Sequence, residues 1–195
     1  MEWAARSRRR SDSGVQSLLS NVFFADPING IHVYTDGSFD PLAGRGGWAF
    51  VVMEDGTEIH DERGRQTGTG NNGFEVLAMI KALTWIETTA AARDVVLWTD
   101  SFHVMEGCHR WRKIWRTNGW KRINANVHAR RRRIPDADLW RQLDALLERN
   151  SIVHIKWCKG HAATPGNVRA DILARAVVKE PAWSFPTDPK AYDFS

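Results

Sequence analysis

Polar and apolar positions alternate through residues 31 to 36, with Ile31, Val33 and Thr35 on one side and His32, Tyr34 and Asp36 on the other. That is the period of a half-buried strand. Residues 46 to 53 and 57 to 66 are two further strand-like runs, separated by Gly-rich and Asp-Gly turns. Connections this short predict antiparallel neighbours, a meander. The period then changes. Across residues 71 to 87, Val76, Met79, Ile80, Leu83 and Ile86 recur at helical spacing. The run "VVLWT", 95 to 99, fits a strand covered on both faces. A helix-like segment begins near Ser101, and "DADLWRQLDALLER" predicts a later helix with Leu139, Leu143, Leu146 and Leu147 on its apolar side. "IVHIKW" is a last strand. "TPGNVRADILARAVVKE" is a last helix, with Thr164 at the cap and Pro165 in the first turn. A meander followed by βαβ crossovers makes a mixed sheet covered by helices.

Composition sets the outer limits. A chain of 195 residues with 43% hydrophobic and 26% charged residues suits one soluble domain that needs no disulfide or structural metal. No run approaches the roughly 18 apolar residues of a membrane span. Cys108 and Cys158 have neither metal-binding nor redox spacing, so a reducing, cytoplasmic setting is expected. Residues 1–28 are Arg- and Ser-rich and are expected to be a disordered extension, with a mitochondrial transit sequence as the alternative. Residues 29–179 hold the folded domain, and 180–195 a Pro-rich tail.

Charge changes the picture. The chain carries +4, yet residues 110 to 133 alone carry +10, with no Asp or Glu, so the remainder stands at −6. A basic arm on an acidic body points to a polyanionic partner.

The first and fourth strand runs end alike, Thr35-Asp36-Gly37-Ser38 and Thr99-Asp100-Ser101. Asp-Gly is also a turn signal, and on that reading Asp36 only ends its strand. With a helical crossover between them the two strands can lie parallel and adjacent, about 4.8 Å apart, at the sheet end where ligands bind. Two carboxylates there repel unless one is protonated or a divalent cation sits between them; a cation is the expectation. Glu75 follows Asn72 by three residues, so it either completes a capping box or joins the acids. Asp171 either pairs with Arg175 across one turn or joins them too.

The segments "YTDGS", "NNGFE", "TDS" and "KGHAATPGNVRAD" occur in this order, each on the expected element. Together they resemble type 1 ribonuclease H over about residues 30 to 179. The resemblance implies an α/β, ribonuclease H-like fold: a five-stranded mixed sheet, three strands antiparallel and two parallel, with helices on both faces. It implies an endonuclease, likewise a monomer, that cuts the RNA strand of RNA–DNA hybrids and leaves 3′-OH and 5′-phosphate ends. Asp36, Glu75, Asp100 and Asp171 match the family's ligands for two Mg2+ ions, with Mn2+ as a substitute. All-carboxylate ligation suits such hard ions on its own chemistry. His161 matches a histidine that assists proton movement. Asn167 matches an asparagine near the fourth carboxylate with an orienting role and is grouped with the nucleic-acid-binding residues, and Asn71 and Asn72 match residues that reach base edges and 2′-hydroxyls. Trp111, Arg112, Lys113, Trp115, Arg116, Trp120 and Lys121 resemble a basic protrusion that grips the DNA strand, although the tryptophans also have helix-packing spacing. The chain departs from the family where many bacterial members seat a DNA phosphate: those places hold Gly68, Gly70 and Asp136. The segment from Trp120 to Trp140 is longer than usual, and its Arg130, Arg131, Arg132 and Arg133 are expected to take over part of the phosphate gripping. A retroelement- or transposase-like nuclease of the same fold and a non-catalytic nucleic-acid binder are the alternatives.

Overall fold

The computed structural model describes residues 29–121, 133–160 and 164–180. Strands β1 (Ile31–Asp40), β2 (Arg45–Glu54) and β3 (Thr57–Thr67) form the meander. The β2–β3 link is a two-residue turn whose Asp55 (φ 49°) and Gly56 (φ 81°) are both left-handed, the geometry that matches strand twist in a tight hairpin. Helix α1 (Asn71–Thr89) crosses over to β4 (Val95–Thr99), which pairs parallel with β1, Thr35 opposite Thr99. After the basic segment come α4 (Ala137–Arg149), β5 (Val153–Trp157), parallel to β4, and α5 (Pro165–Lys179). The sheet order is β3-β2-β1-β4-β5. This is the predicted mixed sheet.

Alternation along β1 assigns its two faces. Ile31 and Val33 enter the larger core beneath α1 and α4. Tyr34 enters a smaller one with Ala49, Val51 and residues of α5. Asp36 shares the α5 side with Tyr34, and Gly37 faces α1. Helix α1 is buried nearly all round, between sheet and α4, from Phe74 to Ile86, so its sequence carries no polar stripe.

Gly37 corrects the turn reading. It lies inside β1, which continues to Asp40. A Cβ at Gly37 would stand 2.4 Å from the backbone N of Glu75 and 2.5 Å from the carbonyl carbon of Phe74. Glycine is there because strand and helix backbones touch.

The basic segment opens as α2 (Phe102–Glu106), passes through a π-helical turn (Gly107–Trp111) and continues as α3 (Arg112–Thr117). Trp140 of α4, 1% exposed, fills the space at Gly107, where a Cβ would overlap its ring. Its edge contacts with His103 and Trp115 join the arm to the body. Trp115 and Trp120 pack against the main core and Trp111 against His103, so all three tryptophans serve packing.

Arg112 needs correcting as a phosphate contact. Arg112 donates to Asp144 at 2.5 Å and Glu148 at 2.8 Å, and Arg116 reaches the same two acids. With Arg112 only 11% and Asp144 only 7% exposed by side chain, this pair is a buried clamp between α3 and α4, flanked by the exposed Arg116 and Glu148. Arg112→Met should therefore destabilise the protein by about 2–3 kcal/mol, less than the roughly 3–5 of a wholly orphaned buried charge because Arg116 remains. Urea unfolding measures it, and adding Asp144→Leu should recover most of the loss. Lys113 and Lys121 stay exposed, as does Arg133, which bridges Lys121. Arg130, Arg131 and Arg132 lie outside the described residues.

Candidate active site

The β1 and β4 tips are held level by the threonines that precede their aspartates. Thr35 Oγ1 donates to the Trp98 carbonyl at 3.1 Å, stitching β1 to β4, and Thr99 Oγ1 accepts from the Ser101 amide at 3.1 Å. The Ser101 hydroxyl then accepts from Val104 N and caps α2. Asp36 and Asp100 thus leave neighbouring tips. The repeated Thr-Asp is visible in the sequence, but the threonines' bonds reach the neighbouring strand and the following turn, which local pattern does not reveal.

Glu75 reaches the same place from α1. The capping box does not form: Gly70 is the N-cap residue and no side chain caps the helix. Instead Glu75 is buried, with Oε1 accepting from Asn71 Nδ2 at 3.2 Å and Oε2 buried without a hydrogen-bond partner among the described residues. One carboxylate oxygen from each of Asp36, Glu75 and Asp100 lies within 4.8 Å of the others. Three acids gathered this tightly, one with an orphaned buried oxygen, fit a divalent cation. Asp171 borders the same cleft of about 350 Å3. Its Oδ1 pairs with Arg175 at 2.7 Å, so the pairing across one turn does form, yet its carboxyl also reaches Asp36.

Burial first, and then the charges of Asp100 and Asp171, push the Asp36 carboxyl up to about 8 from an ordinary 3.8. Burial, with Asp36 and Asp100, holds Glu75 well above the usual carboxylate range. Without a cation these groups bind more protons folded than unfolded between those limits, so they lower stability as pH rises from about 4 to about 8. In EDTA, the melting temperature should decline across that window, and a divalent cation should remove most of the decline; differential scanning calorimetry checks both.

Asn167 is 1% exposed, which corrects its assignment to nucleic-acid contact. Its Nδ2 donates to Asp100 Oδ2 at 3.0 Å, and it orients an acid rather than touching a ligand. Gly160 makes room for that oxygen, since a Cβ would stand 2.7 Å from Oδ2. Asn71 and Asn72 are exposed at the start of α1, Asn71 on the cleft rim. Asp136, in a left-handed conformation, sets its carboxylate 3.4 Å from the Cβ position of Gly73 in the first turn of α1. His161 lies outside the described residues.

A mixed sheet with an acidic cluster at the carboxyl end of its central parallel strands defines an α/β protein with a site able to hold a metal ion. The RNase H family profile matches residues 29–179, and the chain belongs to that family. It is 36% identical over 153 residues to a ribonuclease H of Alcanivorax borkumensis, covering 78% of this chain and 94% of that one. The crystal structure of LC9-RNase H1, a type 1 RNase H with the type 2 active-site motif, is similar with a TM-score of 0.61 and 26% identity, over 76% of this chain and 72% of that one. A foamy viral protease-reverse transcriptase in complex with an RNA/DNA hybrid shares the fold, with a TM-score of 0.65 and 16% identity over 92% of this chain and 22% of that one.

Proposed function

We infer that this chain is an endonuclease that hydrolyses the RNA strand of RNA–DNA hybrids, leaving 3′-OH and 5′-phosphate ends. The observation that carries the reading is the convergence of Asp36, Glu75 and Asp100 within 4.8 Å, with Glu75 Oε2 buried and without a hydrogen-bond partner among the described residues. Asp36, Glu75, Asp100 and Asp171 would hold two Mg2+ ions, or Mn2+. When bound, the ions supply an acidified water and charge stabilisation at the departing 3′ oxygen.

The chain's own groups set the rest. Asn71 steadies Glu75 while presenting its exposed side to the cleft rim, where, with Asn72, it would meet the minor groove. Contact with the 2′-hydroxyl is what distinguishes RNA from DNA. Lys113, Lys121 and Arg133 offer exposed charge for the DNA strand. Arg175, beside Asp171 at the cleft, places a cation near the reacting phosphate, and His161 would move a proton. A monomer is the expected working form, and size-exclusion chromatography with light scattering tests it.

A labelled hybrid with Mg2+, compared with EDTA and with duplex RNA and duplex DNA, tests the reading. Cleavage of the hybrid alone, abolished by EDTA, is expected. Binding without cleavage would favour a nucleic-acid binder, and cleavage of duplex DNA a transposase-like nuclease.

A further inference from the structure

Cys158 plays no part in the reading above, yet it sits one bond network away from Asp100. It follows β5 directly, and its amide donates to the Thr99 carbonyl at 3.0 Å, which extends the β4–β5 pairing to the residue before Asp100. Its side chain points inward, and the residue is 7% exposed. Sγ lies 3.4 Å from Asn167 Oδ1, with the thiol as donor. Asn167 in turn gives Nδ2 to Asp100 Oδ2 at 3.0 Å.

A buried primary amide has two ends that both need partners. Here the carboxylate takes the NH2 end and the thiol takes the carbonyl end, so the amide plane is fixed from both sides. Burial pushes the Cys158 thiol up to about 12, so it remains a neutral donor and a poor nucleophile. A thiol is a weak donor, but burial strengthens the bond it makes.

We propose that Cys158 is a positioning residue of the cation site: its S–H group orients the Asn167 amide, which holds one oxygen of Asp100 and reserves the other for a ligand. Partners behind a ligand commonly set metal affinity by tenfold or more. The proposal rests on the cation reading of the acidic cluster, and the test separates the two.

Mn2+ binding to the full chain is measured by titration calorimetry, without substrate, for the parent, Cys158→Ser and Cys158→Ala. Serine and alanine have nearly the same volume, so their difference isolates the donor. Cys158→Ala should weaken Mn2+ binding about tenfold and Cys158→Ser should recover most of that loss. In an Asn167→Ala background, Cys158→Ala should add nothing, because the relay is already cut. Equal affinity in parent and Cys158→Ala, or equal losses in the Ser and Ala variants, would overturn the relay while leaving the cation site standing. A parent that binds no Mn2+ would overturn the cation reading itself and the relay with it. If Cys158→Ala does not fold, Cys158→Val fills the space without a donor and takes its place. Failure of both to fold would make the thiol a core residue and end the proposal.

Discussion

Asp36→Asn should lower hybrid cleavage by at least about a thousandfold while leaving the fold as stable as the parent or more so. Asp36 is 5% exposed and lies beside Glu75, Asp100 and Asp171. Fully ionised, two such charges within 4.8 Å repel by roughly 3 kcal/mol or more at an effective dielectric near 20. The neutral amide removes that repulsion and keeps the side-chain shape. It also removes the central anion that a cation needs. Cleavage of labelled hybrid in Mg2+ and melting in EDTA measure the two halves separately. Retained cleavage would overturn the site assignment. A fall of many degrees in melting temperature would mean that Asp36 holds the fold together rather than straining it.

The largest stability effect should come from Trp140→Ala, at about 3–5 kcal/mol. Trp140 is 1% exposed and occupies the space left by Gly107. Its ring meets His103 and Trp115 edge-on, so truncation opens a cavity where the basic arm joins the body. For a domain of this size the melting temperature should fall by about 10 °C. Denaturant unfolding checks the free energy. Trp140→Phe should lose much less, because most of the volume remains. A Trp140→Ala variant of unchanged stability would mean that arm and body do not pack cooperatively.

The elements that positioned the site were legible in the sequence because they depend on local period. Alternation gave β1, and helical spacing gave α1 and α4. The shared Thr-Asp ending gave Asp36 and Asp100 on adjacent tips. What escaped depends on partners far along the chain. The Asn72–Glu75 spacing fits a capping box, but the helix starts after Gly70 and Glu75 is drawn inward beside Asp36. Arg112 looked like part of a basic face because its acids, Asp144 and Glu148, lie on another helix. Asn167 is expected to orient, but nothing nearby in sequence announces that the acid it orients is Asp100. The tryptophans' packing spacing proved the better guide to their side chains than the charges between them.

The contact between Gly37 and the backbone of Phe74 and Glu75 also limits how this enzyme could be redesigned. Any side chain at that position would wedge the helix off the sheet and carry Glu75 away from its neighbours. The floor of the catalytic cleft is thus closed to tuning. An engineer who wants a different ion preference or pace must work from the rim, at Asn71, Ser101 or Arg175.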